Sequence, residues 1–169
     1  MSIYRHVHIN YWQDAFILDL TPQEKYFYVY LLTNSKTKQC GIYELPIRII
    51  ETETGYDEVL IDKLLTKFEE YEKIVYDKST KEIYIKNWTK HNKISSFKVK
   101  KCVEKELSKV KSKNLIKLFL DEISKLGYEI DYNLETKENR GENNFKDESI
   151  YSKPTDEQLE EARRLLDKI

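Results

Sequence analysis

Between Lys86 and Lys113 the chain carries ten lysines: Lys86, Lys90, Lys93, Lys98, Lys100, Lys101, Lys105, Lys109, Lys111 and Lys113. Only Glu104 and Glu106 oppose them. This stretch has a net charge of +8, in a protein whose formal net charge is −1. The residues before it sum to −4 and those after it to −5, so a near-neutral total conceals one strongly basic segment. Lysine is a compact charge on a flexible stem and suits phosphate neutralisation better than base reading. His91, Trp88 and Phe97 lie among these lysines. A lysine run is also what a solvated helix face looks like; the one-sided composition favours the phosphate-binding reading.

A second, smaller basic group lies upstream. Lys63 and Lys67 are four residues apart and share one face of a helix expected over 57–70, with Thr66 beside them. The same stretch holds Asp57, Glu58, Asp62, Glu69, Glu70 and Glu72. An acidic helix repels phosphates, so this one suits core packing or a partner protein as well as it suits DNA. The residues expected to contact DNA are therefore Lys63, Lys67, Lys86, Lys90, Lys93, Lys98, Lys100, Lys101 and Lys105.

No catalytic constellation is present. There is no glycine-rich phosphate loop, Walker pattern or nucleophile elbow, so the expectation is a non-enzyme that needs no cofactor. His6 and His8 share a strand parity and Cys40 is the nearest sulfur, but no second ligand pair follows at metal-site spacing, and no metal is expected. Cys40 and Cys102 lie far apart, and no secretory signal precedes them. Reduced thiols and a cytoplasmic location are expected. No apolar run approaches the ~20 residues a membrane-spanning helix needs.

The elements that must position these lysines can be read from capping and periodicity. Ile3 to Ile9 reads as a short strand, and Trp12 to Leu18 as a short helix offering Trp12, Phe16 and Leu20 to a core. Thr21-Pro22-Gln23-Glu24 is a capping box with proline at the first helical position, opening a helix to about Asn34. A strand is expected at 41–45, then a helix from Pro46 stopped by Gly55, then the helix capped by Asp57. Alternating strands at 73–77 and 82–86 flank the polar turn Lys78–Lys81. The expected core includes Tyr30, Leu31, Ile50, Leu64, Phe68, Val75 and Trp88, and the tyrosines on apolar faces (Tyr26, Tyr30, Tyr43, Tyr76, Tyr84) should pack inside. Ser95 or Ser96 should cap a lysine-rich helix running to about Val110. Asn114 should cap another, with Leu115, Leu118, Phe119, Glu122, Ile123 and Leu126 on one face and Gly127 at its end. The fold class expected is α+β, mostly helical: a winged helix-turn-helix domain over 1–92 and a basic helical extension over 93–132. A disordered linker is expected over 133–153 and a short helix over 154–169.

Residues 10–92 resemble the N-terminal domain of phage and prophage replication initiators, the replisome organizer group related to DnaD. The likeness rests on phrases in order: Tyr11-Trp12, Leu20-Thr21-Pro22-Gln23-Glu24-Lys25, Tyr30-Leu31-Leu32-Thr33-Asn34, Gly41-Ile42-Tyr43-Glu44-Leu45-Pro46, Thr54-Gly55-Tyr56 and Ile85-Lys86-Asn87-Trp88-Thr89-Lys90-His91-Asn92. It covers about half the chain, and beyond Asn92 no tryptophan occurs to complete the second DnaD domain. The resemblance implies a winged helix that binds origin DNA or self-associates, with a helicase or helicase loader as partner. Two other classes compete: a winged-helix transcriptional regulator, and an interaction or oligomerisation module that does not touch DNA.

Overall fold

The computed structural model describes residues 5–128, Ile130 and Tyr132. The linker expected at 133–153 and the helix expected at 154–169 lie outside the described residues. After a 3-10 turn at Ile9–Gln13 come helix α1 (Ala15–Asp19) and helix α2 (Pro22–Thr33). The capping box of α2 is closed in both directions. Thr21 Oγ1 accepts from the Glu24 amide at 3.3 Å, and Glu24 Oε2 accepts from the Thr21 amide at 2.7 Å. Strand β1 (Ile42–Glu44) leads into α3 (Ile47–Thr54), which ends at Gly55 with φ of 75°. In α4 (Glu58–Glu70) the cap is Asp57, whose carboxylate accepts from the Leu60 amide at 2.8 Å.

Strands β2 (Ile74–Asp77) and β3 (Glu82–Ile85) form an antiparallel hairpin in which Ile74 faces Ile85 and Tyr76 faces Ile83. Asp77 organises the turn by accepting from the Ser79 amide and hydroxyl and from the Thr80 amide. β1 pairs with the other edge of β3, with Ile42 opposite Tyr84, so the sheet order is β1-β3-β2. The short α5 (Trp88–His91) follows, then α6 (Phe97–Leu107) and α7 (Lys113–Lys125).

The sheet is packed on both faces. Ile83 and Ile85 join one core with Phe27, Leu31, Ile50, Leu65 and Phe68 from the preceding helices. Because side chains alternate along a strand, Tyr84 and its partner Ile42 face the other way. There Tyr84 meets the Phe119 ring edge-on at 6.2 Å, and Val103, Leu107, Leu115, Ile116 and Ile123 are buried. The basic extension is therefore part of the same compact unit as the sheet.

Several expectations are corrected. The helix expected from Trp12 to Leu18 is broken at Asp14, whose side chain accepts from the Phe16 amide and starts α1 afresh. Trp12, expected in the core, is 58% exposed on the 3-10 turn. No strand forms at residues 5–9, and Ile3 lies outside the described residues. Val75 is only half-buried. Its partner is Tyr84, which places it on the outer face at the edge strand, while Ile74 and Tyr76 fill the inner core. Tyr26 is exposed and makes an edge contact with Tyr56 instead of entering the core. Ser112, not Asn114, caps α7, Leu118 is half-buried and Leu126 is exposed. The remaining core residues named from sequence, Tyr30, Leu31, Ile50, Leu64, Phe68 and Trp88, are buried.

Gly41 has the tightest backbone requirement. Its φ is +75°, and a Cβ there would lie 2.6 Å from Trp88 Cγ. Gly41→Ala should therefore combine a left-handed backbone penalty with a clash against a buried ring, costing about 2 kcal/mol or more. Urea unfolding of the two proteins measures this; a midpoint unchanged by the alanine would disprove it.

Candidate nucleic-acid interface

Five of the nine lysines singled out from sequence lie on two helix faces, and these differ in electrostatic character. The first is the outward face of α4. Ile61, Leu64, Leu65 and Phe68 face the core, which leaves Glu58, Val59, Lys63, Thr66 and Glu70 exposed and Asp62 half-buried. Lys63 is exposed, but Lys67 is committed elsewhere. Its ammonium lies 2.5 Å from Glu24 Oε1 and 5.8 Å from the centre of the Tyr71 ring. Lys78 of the hairpin turn reaches Asp62 at 3.4 Å. With Thr66 and Glu70 these residues line a shallow depression in which Lys67 and Lys78 each have a carboxylate partner.

Glu24 explains why Lys67 is held. Its side chain is buried, and burial alone would raise its pKa. The hydrogen bonds from Lys67 and from Thr21, with the Lys67 charge, outweigh burial and hold the carboxyl at about 2. Tyr71 Oη also donates to it, at 3.3 Å. The hydrogen bond to Glu24 correspondingly raises the Lys67 pKa. Sequence reading placed Glu24 as a cap and missed this second role, because nothing in sequence spacing links residue 24 to residue 67.

The second surface is the solvent side of α6. Val103 and Leu107 are buried against the sheet. Lys98, Lys101 and Lys105, spaced by three and four residues, form one exposed stripe on the opposite side of the helix, about 10 Å long. Lys101 makes an ion pair with Glu104 at 3.0 Å and sits 5.5 Å from the centre of the Phe97 ring. Lys100 is half-buried on another side of the helix. Of the remaining expected residues, Lys90 on α5 and Lys93 beyond it are exposed, and Lys86 is half-buried just after β3. The two aromatics among the lysines part company. Trp88 is buried, with Nε1 donating to the Gln39 carbonyl at 3.0 Å, whereas Phe97 is 72% exposed.

Buried or half-buried carboxylates orient this basic surface. Glu82 accepts from the Lys111 amide at 2.9 Å and from the Ser112 amide at 2.8 Å, at the start of α7. Glu122 accepts from the Tyr84 hydroxyl, the Asn87 amide and the Thr89 hydroxyl. Glu106 accepts from the Cys40 amide at 2.9 Å, which ties α6 to the chain before β1. The sequence offers one weak signal for these, a glutamate at position 82 within an otherwise apolar strand.

The chain matches no family model, no curated protein and no solved structure. Among the described residues no three His, Cys, Asp or Glu side chains are grouped so as to hold a metal ion, and no helix is long and apolar enough to cross a membrane.

The Glu24 site yields a pH dependence of stability. Its folded pKa lies below the ordinary 4.5, so its contribution is complete above that value and is lost as the pH falls from about 5 towards about 2. Glu24→Gln should be less stable than wild type at neutral pH, and the gap should narrow steadily through this acid window. Urea unfolding across pH tests this; a gap independent of pH would show that the carboxylate charge is not what matters.

Proposed function

We propose that this chain is a DNA-binding protein of the phage and prophage replication-initiation kind, built on a winged helix and extended by a basic helical layer. In this reading α3 and α4 are the helix-turn-helix and the β2–β3 hairpin is the wing. The support is their order, with β1 paired on the far edge of β3. The observation that carries DNA binding is the lysine stripe on α6, displayed on the face turned away from the sheet. Lysines on a rigid helix recognise phosphates irrespective of sequence, which suits an initiator that engages an extended stretch of DNA more than a regulator reading one operator. The ordered phrases from Tyr11 to Asn92 point the same way. Partners in such a system would be DNA, further copies of the chain, and a helicase or its loader.

One observation favours a second reading, an interaction module that does not bind DNA. Val59, in the first turn of α4, is 80% exposed beside Glu58 and one turn before Asp62, a surface better matched to protein than to a phosphate backbone.

The two readings separate on a comparison of lysine groups. Converting Lys98, Lys101 and Lys105 to glutamine should weaken DNA binding more than converting Lys63 and Lys67. It should also lower the slope of log affinity against log salt by about three, roughly one for each phosphate no longer neutralised. Fluorescence anisotropy with labelled DNA over a salt series measures both. A greater loss from the Lys63/Lys67 pair would move the interface to α4, and absence of binding by the wild-type chain would leave the interaction module.

A further inference from the structure

We infer that the solvent face of α6 is a binding site for single-stranded nucleic acid, with Phe97 as the platform on which an unpaired base stacks. This rests on the DNA-binding reading above and specifies the form of DNA that the site takes. Phe97 occupies the first position of α6, immediately after the Ser96 cap, whose hydroxyl accepts from the Val99 amide at 3.3 Å. Phe97 is 72% exposed although the apolar core of the extension lies on the other side of the same helix. Phe97 lies at the edge of the lysine stripe, one turn before Lys101, and the Lys101 ammonium stands 5.5 Å from its ring centre. One face of the ring thus meets a cation, and the high exposure leaves the remainder open to solvent.

Exposed phenylalanine and exposed lysines on one helix face make opposite demands on most partners. An apolar protein surface would cover the ring but strand the ammonium groups of Lys98 and Lys105 without counter-charge. A duplex would satisfy the lysines but offer the ring nothing, because its base faces are already stacked on one another. A single strand meets both demands. Its phosphates neutralise the lysines, and its unpaired bases have free π-faces for the ring. Trp88, the other aromatic in the basic stretch, is excluded from this role by its burial and its bond to Gln39. Stacking is tolerant of base identity, which agrees with the absence of arginine, asparagine and glutamine from α6.

The test uses the full chain, a labelled oligothymidylate and a labelled duplex of equal length, read by fluorescence anisotropy. Phe97→Leu should weaken oligothymidylate binding about 5- to 100-fold and leave duplex affinity nearly unchanged. Phe97→Tyr should keep the single-strand affinity. Because Phe97 is exposed, both variants should retain the wild-type circular dichroism and unfolding midpoint. Equal weakening on both probes, or none on the single strand, would overturn the stacking role while leaving lysine-dependent DNA binding intact. Failure of the wild-type chain to bind either probe would overturn the DNA-binding reading and this inference with it.

Discussion

Strand β3 has neither a free edge nor a free face, and the described structure is built around that constraint. β1 and β2 occupy its two edges, and all four of its residues are buried. Ile83 and Ile85 face the helices that precede the hairpin, while Glu82 and Tyr84 face the layer that follows it. A four-residue strand thereby joins two cores. Neither helical layer could bury its apolar stripe without it, since a helix with one apolar face needs a surface to cover.

The outer face of β3 is unusual in being half polar. A carboxylate taken out of water is costly unless hydrogen bonds replace its hydration. Glu82 meets that requirement with two amides at the start of α7, where the helix end itself favours negative charge. The Tyr84 hydroxyl donates to Glu122, which also accepts from Asn87 and Thr89. These bonds are directional, whereas apolar packing tolerates rotation. They set which way α6 and α7 lie on the sheet, and so which residues of α6 meet solvent. The lysine stripe and Phe97 are on view because Val103, Leu107 and Glu106 are held on the inside.

The charge separation along the chain becomes a spatial one. On and beside α4 two of the three cations are matched by carboxylates, Lys67 by Glu24 and Lys78 by Asp62, while Lys63 is exposed. Among the described residues, Lys101 is the one member of the α6 stripe that makes an ion pair, with Glu104. Exposed ion pairs contribute little to stability, but an ion-paired lysine must give up that partner before it can hold a phosphate. The α6 surface therefore has the smaller cost of engaging an anion, which is why the proposed interface lies there and not on α4.

Sequence alone determined the elements whose signals are local. The Thr21–Glu24 capping box, the Asp57 cap and the Gly55 stop each depend on residues within a few positions of one another, and the helices they bound fall where those signals place them, as does the hairpin around its polar turn at 78–81. The basic character of residues 86–113 was equally legible, being a matter of composition. What only the tertiary structure decided were the pairings across long separations. Lys67 is withdrawn by Glu24, Trp88 is sealed by Gln39 and Gly41, and Val75 is turned to the outer face by its register with Tyr84. Periodicity showed that Val75 alternates but not which face the helices would cover. It also could not show that a lysine-rich helix would spend its apolar side on the back of the sheet. Those outcomes depend on which surfaces meet, and that is set by burying apolar area and satisfying buried carboxylates together, across residues that no local pattern connects.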